Sequence, residues 1–394
     1  MPLSPLRTLL IVLAVWCAGL GAAAQFAKIS VMFDLLTNAY PGRGPGIGFM
    51  VSVVGLVGLL FGTTAGLLVQ RLGYRRVLVW AMALGALMSA LQATGLGFGL
   101  MMATRVAEGA SHLAIVVAGP VLIAQVTPLR AQGLAMTLWA SFFGVSFAVT
   151  AWAGLPLAER HGPQALFAAH AGLLAGLAGL LWLILPRDAP ASGQLPITLA
   201  GVLRQHRMIY ASPFIAAPAL GFVFYTLIYV AVLTLLPPLL PAAQRVSAAS
   251  GMPLMSIAVS LTLGVVLLRR MQAYRLVQLG LGLTLLCSLA LWASWGSGMA
   301  LVAALALASA LGLVQGASFA SIPQLNHSAG ARAMAAGAVA QMGNLGTTTG
   351  TPLLAWLMGQ FGLTGLVGFL ILFPLLGIWV HQLQARRRAL WSDG

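Results

Sequence analysis

Phe98-Gly-Leu-Met-Met-Ala-Thr-Arg105-Val-Ala-Glu108-Gly109-Ala-Ser111-His112-Leu-Ala-Ile-Val-Val-Ala-Gly-Pro120-Val-Leu-Ile-Ala-Gln125 is an apolar run that carries a cluster of charge. About 20 apolar residues cross a bilayer as a helix, so the run is long enough to span one with tilt. On a helix Arg105, Glu108 and His112 fall within roughly 60° of one another. A charge at the bilayer centre costs on the order of 2.5–3.5 kcal/mol. The three side chains must therefore face each other, a partner helix or a watery cavity, and not lipid. Either Arg105 and Glu108 staple two helices while His112 is a bonded core residue, or the triad belongs to a substrate or proton pathway.

The rest of the chain fits a membrane setting. Its 394 residues are 60% hydrophobic and only 6% charged, with a mean hydropathy of +0.98, whereas soluble domains carry about 25% charged residues. The +15 formal charge does not imply nucleic acid, because the arginines recur in short clusters between apolar runs instead of forming one patch. Cys17 and Cys287 both lie inside apolar runs and read as packing residues. Arg7 followed by apolar sequence and Gly21-Ala22-Ala23-Ala24 imitates a signal peptide. The apolar run continues to about Phe33, too far for one, so it is expected to remain as the first membrane helix.

Breaks at charges, prolines and glycines predict an all-α, polytopic membrane protein with twelve transmembrane helices, at 8–33, 46–69, 77–97, 98–125, 133–157, 164–185, 211–236, 250–268, 276–296, 298–322, 334–358 and 363–382. They form an N-terminal six-helix half (1–185), a central loop (186–210) and a C-terminal six-helix half with a basic tail (211–394). With the N-terminus inside, most basic residues fall on the cytoplasmic side: Arg7, Arg71, Arg75, Arg76, Arg130, Arg187, Arg204, Arg207, Arg269, Arg270, Arg275, Arg332 and Arg386 to Arg388. Arg43, Arg160 and Arg245 fall outside. The positive-inside rule then puts both termini in the cytoplasm, and a bacterial inner membrane is the expected location. The basic central loop is expected along the lipid surface.

The halves echo each other. Gly66-Leu-Leu-Val-Gln70-Arg71 is matched by Gly264-Val-Val-Leu-Leu268-Arg269, Glu108-Gly-Ala-Ser111 by Gln315-Gly-Ala-Ser318, and Gly133-Leu-Ala-Met136 by Ala331-Arg-Ala-Met334. Transporters built from repeats bind substrate near the midplane. Small-residue spacing at Gly58/Gly62/Gly66, Gly172/Gly176 and Gly346/Gly350 predicts close helix packing.

Gly66-x-x-x-Gln70-Arg71-x-Gly73-Tyr74-Arg75-Arg76 resembles the loop between helices 2 and 3 of the major facilitator superfamily, normally Gly-x-x-x-Asp-Arg-x-Gly-Arg-Arg. Arg105-x-x-Glu108-Gly109 resembles that family's helix-4 signature. The resemblance covers essentially the whole chain and implies a gating role for Gly66, Gln70, Arg71, Gly73, Arg75 and Arg76, although Gln70 replaces the family's acidic latch. Physically, Gly66 and Gly73 permit close approach and a tight turn, and the arginines can bond helix C-terminal carbonyls. The span 133–157 lacks the Gly-Pro signature of drug/proton antiporters. Arg130-Ala-Gln-Gly133-Leu-Ala-Met136 beside the helix-4 motif is similar to the branch associated with cyanate and small-anion uptake.

In that family helices 1, 4, 7 and 10 line the cavity, which implies substrate contacts from Gln25, Lys28, Arg105, Glu108, His112, Tyr225, Tyr229, Gln315 and Ser318. Gln341 and Asn344 of the eleventh span could also reach in. The plainer alternative is that the amides and hydroxyls bond neighbouring helices and that Lys28 snorkels to the surface. Spans 3, 9 and 12 are plainer, apart from polar residues such as Gln92 near their ends. Lys28 and Arg105 stand against Glu108, with Asp34 near the outer end of the first helix, so an anionic small molecule would restore balance. Glu108 and His112, one turn apart, are the candidate proton-coupling pair. The expected function is a secondary transporter, monomeric and in contact with membrane lipids, that carries a small, anionic or carboxylate-bearing solute with proton symport. A proton-coupled efflux antiporter of the same fold is the alternative. No enzyme motif, metal spacing or cofactor motif occurs, and five acids leave little for acid–base chemistry.

Overall fold

The computed structural model describes residues 4–44, 46–128, 131, 135–136, 138–139, 141–187 and 199–392. Among them every regular element is helical. Helices α1 (Pro5–Val31), α2 (Phe33–Ala39), α3 (Gly46–Ser52), α4 (Gly55–Leu72), α5 (Tyr74–Gln92) and α6 (Phe98–Val126) come first. Then follow α7 (Phe142–Val149), α8 (Leu155–His161) and α9 (Pro163–Ile184), α7 running into α8 through a π turn at Thr150–Gly154. The remainder is α10 (Leu199–Ala211), α11 (Ala216–Leu235), α12 (Ala242–Val259), α13 (Val265–Leu268), α14 (Ala273–Ala293), α15 (Met299–Leu325), α16 (Ala329–Phe361) and α17 (Leu363–Ser392). Ten helices among the described residues are long and apolar enough to cross a membrane, α1, α5, α6, α9, α11, α14 and α15 among them. Of the other expected spans, 46–69 is broken at Val53 and Val54 into α3 and α4, and 334–358 lies within the 33-residue α16.

Local chemistry sets the boundaries. Ser4 caps α1 by accepting from the Arg7 amide, with Pro5 at the first helical position. Gly73 separates α4 from α5 at φ +91°, a conformation that only glycine adopts cheaply. Ser328 caps α16 through the Ala331 amide.

The chain forms two compact units. The first comprises Met1–Arg43, Val53–Gly58 and Thr64–Leu195; the second comprises Gly44–Ser52, Leu59–Thr63 and Pro196–Gly394. In the first, α1 packs on α6, α7 and α9, and α5 on α6 and α9, around a core that includes Ile11, Val15, Leu78, Met82, Ile115 and Leu174. Gly85 of α5 brings the helices close: a Cβ there would lie 2.7 Å from Ser111 Oγ and 2.9 Å from Gln25 Nε2. In the second unit, α11 lies most extensively against α16, and α14 against α15. From Tyr225 to Leu235 every residue of α11 is buried. The faces turned outward carry Trp80, Trp152, Trp182, Leu183 and Trp379, an apolar exterior that suits lipid.

Candidate functional site

The charged groups of the first unit converge on Glu108. Lys28 (α1), Arg105 and Glu108 (both α6) are each 0% exposed. Lys28 Nζ lies 2.5 Å from Glu108 Oε1, and Arg105 Nη1 bonds Oε2 of the same carboxylate. Ser89 Oγ donates to Oε1 at 3.0 Å and Gln92 Nε2 to Oε2 at 2.9 Å. The four lone-pair positions of the carboxylate thus face four donors, two of them cationic. Gln92 is fully used as well: its oxygen accepts from Lys28 at 2.8 Å and its other hydrogen goes to Thr104 Oγ1 at 3.1 Å.

Lys28 does not reach the surface. Besides Glu108 and Gln92, its ammonium lies 2.7 Å from Ser89 Oγ, 3.2 Å from His170 Nδ1 and 5.3 Å from the centre of the Phe167 ring. His170 on α9 has Nε2 2.9 Å from the Gly21 carbonyl oxygen, which can only accept. Its proton therefore sits on Nε2, and Nδ1 presents a lone pair to Lys28; Ser89 Oγ, 2.8 Å away, has one hydrogen to divide between Nδ1 and Glu108 Oε1. Two cations share one carboxylate in a dry setting, so the cluster carries one surplus positive charge.

The other expected site residues divide. Gln25 is adjacent, with Nε2 donating to Ser111 Oγ at 3.0 Å, and Ser111 donates on to the Ala81 carbonyl. His112 turns aside: Nδ1 faces the Ala22 carbonyl at 3.0 Å, and its ring meets Phe26 edge-on at 5.0 Å. In the second unit Tyr225 and Tyr229 are buried and stacked at 5.0 Å. Ser318 and Asn344 bond carbonyls of their own helices, Val314 and Ala340. Gln315 is half-buried on α15, and Gln341 binds His206 and Tyr210. In the turn after α4, Arg75 stacks on Trp182 at 4.2 Å and donates to its carbonyl at 2.6 Å. The side chains of Gly66 and Gln70, and Arg130 and 132–134, lie outside the described residues.

Ser89, Gln92, Thr104 and His170 are the site members that the sequence reading did not include, Gln92 having been read only as a polar residue near the end of a plainer span. His170 was detectable as the lone ionisable residue inside its apolar span; the hydroxyls carry no such signal. Among the described residues no three His, Cys, Asp or Glu side chains stand together in a way that could hold a metal ion.

A sequence model of the Major Facilitator Superfamily matches residues 11–351. No curated protein matches the chain. Among solved structures, it is similar to a bacterial homologue of the human lysosomal transporter Spinster. The inward-facing, unoccupied form has a TM-score of 0.76 at 14% identity, covering 98% of each chain. The inward-facing, occupied form has a TM-score of 0.75 at 13% identity, covering 95% of this chain and 96% of the other.

Proposed function

The chain belongs to the Major Facilitator Superfamily, and on that premise we propose that it moves a small anionic or carboxylate-bearing solute by alternating access, with proton symport. It is a transporter and not an enzyme. The observation that carries the choice of solute is that Lys28 and Arg105 share a single carboxylate at full burial. An uncompensated buried charge is costly, and the carboxylate of a solute supplies the missing negative charge. Arg105 is the anchor, because a guanidinium binds a carboxylate with two parallel hydrogen bonds. Gln25, beside the cluster, is a further proposed contact.

Proton coupling follows from the saturation of Glu108. A proton on this carboxyl must displace one of its four donors, and losing a cation from the pair costs the least when the carboxyl is neutral. Proton uptake therefore releases Arg105 to an incoming anion, and anion binding in turn favours the protonated carboxyl. The linkage is reciprocal.

Two steps test this. A thermal-shift screen of small carboxylates and inorganic anions on the purified protein should find a stabilising ligand, since ligands that prefer the folded state raise apparent stability. In proteoliposomes, uptake of that ligand should rise with an inward proton gradient. Arg105→Gln should reduce it at least ~30-fold, the cost of truncating a buried charge contact, with partial retention in Arg105→Lys. Full uptake by Arg105→Gln removes the anchor role, and indifference to the gradient removes symport.

A further inference from the structure

One hydrogen-bond acceptor beside the cationic cluster is left over. Gln25 of α1 is 0% exposed, and its neighbours dictate how its amide is turned. Ser111 Oγ donates its single hydrogen to the Ala81 carbonyl oxygen at 2.7 Å. Toward Gln25 it can only accept, which places Nε2 on that side at 3.0 Å and points Oε1 elsewhere. Oε1 is buried there and meets no donor among the described residues. Lys28 follows one turn along the same face of α1, yet it has no hydrogen to lend. Its three hydrogens already face four acceptors, on Ser89, Gln92, Glu108 and His170. Buried polar atoms of native proteins are almost always paired, and leaving one unpaired is costly. A donor that reaches Oε1 recovers that cost.

The place of this acceptor narrows the choice of solute. Lys28, Arg105 and Glu108 together carry one surplus positive charge, and residues one turn apart, such as Gln25 and Lys28, have Cβ atoms about 5–6 Å apart. A solute of a few carbons spans that distance. On the premise that the solute is an anion, we propose that it is a hydroxycarboxylate. Its carboxylate pairs with Arg105, and a hydroxyl on its carbon chain donates to Gln25 Oε1. The donor is a hydroxyl and not an ammonium, because an ammonium would stand within one helical turn of a net positive cluster and be repelled. A plain aliphatic acid balances the charge but leaves Oε1 unpaired. Sites built around a polar group reject an analogue that lacks it far more strongly than apolar pockets reject a missing methylene. Gln25 is thus the specificity-determining residue and Arg105 the anchor. Both belong to the first unit, and Oε1 comes within reach when α1 and α6 part during alternating access.

Thermal unfolding of the full chain in detergent, titrated with matched acids, tests this. Acetate, propionate and butyrate are compared with glycolate, lactate, β-hydroxybutyrate and γ-hydroxybutyrate, and with glycine, alanine and γ-aminobutyrate. The concentration that gives half the stabilisation reports the affinity of each. At least one hydroxylated acid should bind the wild type roughly ten-fold or more tightly than its unsubstituted parent, as expected for pairing one buried acceptor. Its aminated counterpart should bind no better than the parent. Gln25→Leu deletes the acceptor and keeps Arg105, so the parent and its hydroxylated form should then bind alike. The wild-type comparison decides the matter even where Gln25→Leu does not fold. Equal binding of parent and hydroxylated acids by the wild type overturns the hydroxycarboxylate and leaves the anionic solute standing. A preference for the aminated acid, or a hydroxyl preference that survives in Gln25→Leu, does the same. Failure of every acid to stabilise the protein overturns the anionic solute itself, and the hydroxycarboxylate with it.

Discussion

Glu108 accepts from Lys28, Arg105, Ser89 and Gln92, and its two cationic partners make opposite predictions for two neutralising substitutions. Glu108→Gln leaves two buried cations without an anion and should destabilise by about 3–5 kcal/mol, the range for breaking a buried pair. Lys28→Met removes the surplus charge and leaves the Arg105–Glu108 pair intact, so it should lower the melting temperature much less. Thermal unfolding of the two variants in one detergent checks the order, and a Lys28→Met protein as unstable as Glu108→Gln contradicts the charge count. At this scale the sequence was partly legible. Arg105 and Glu108 are three residues apart on one helix, so their meeting follows from helical geometry. Lys28 meets Ser89, Glu108 and His170 across separations of 61, 80 and 142 residues. No local pattern encodes that, and snorkelling to the surface was an equally sound expectation for the lysine.

The helices themselves were legible from apolar runs and breakers, whereas the face that each presents was not. Gly346 and Gly350 do permit close approach: a Cβ on Gly350 would lie 2.0 Å from the Leu227 carbonyl oxygen of α11. Gly172 and Gly176, with the same spacing, are exposed and meet nothing within 4 Å. Gly350→Ala should therefore cost about 1–3 kcal/mol through overpacking against backbone. Gly172→Ala and Gly176→Ala should be neutral or stabilising by up to ~1 kcal/mol, since alanine is the better helix former. Gly73→Ala should cost about 1–2 kcal/mol, because φ is +91° between α4 and α5. Chemical or thermal denaturation of the four variants separates packing from conformational effects. The expected span at 46–69 divides at Val53, where the Leu56 amide bonds the Val53 carbonyl in a turn, and no proline or charge announces that break.

For the molecule as a whole, the orientation inferred from basic residues makes a direct prediction. Single cysteines at Arg43, Arg160 and Arg245 should react with a membrane-impermeant thiol reagent in right-side-out vesicles, once Cys17 and Cys287 are replaced. Cysteines at Arg76, Arg270 and Arg386 should react only after permeabilisation. All six positions are exposed in the fold, so a reversed pattern would invert the topology and not merely reflect burial.

Hydropathy and helix-breaking residues are properties of short windows, which is why an all-helical membrane protein of this family could be read from the amino-acid order alone. Charge balance within the apolar segments also pointed to a surplus cation. Which groups share that charge was decided by the rotation and approach of α1, α5, α6 and α9, through contacts such as Gly85 against Ser111 and Gln25. Burial makes an unpaired polar atom expensive, so tertiary packing selected one set of partners among many that helical periodicity permits. That selection drew Lys28 inward and brought in Ser89, Gln92 and His170, and it turned His112 toward the Ala22 carbonyl instead.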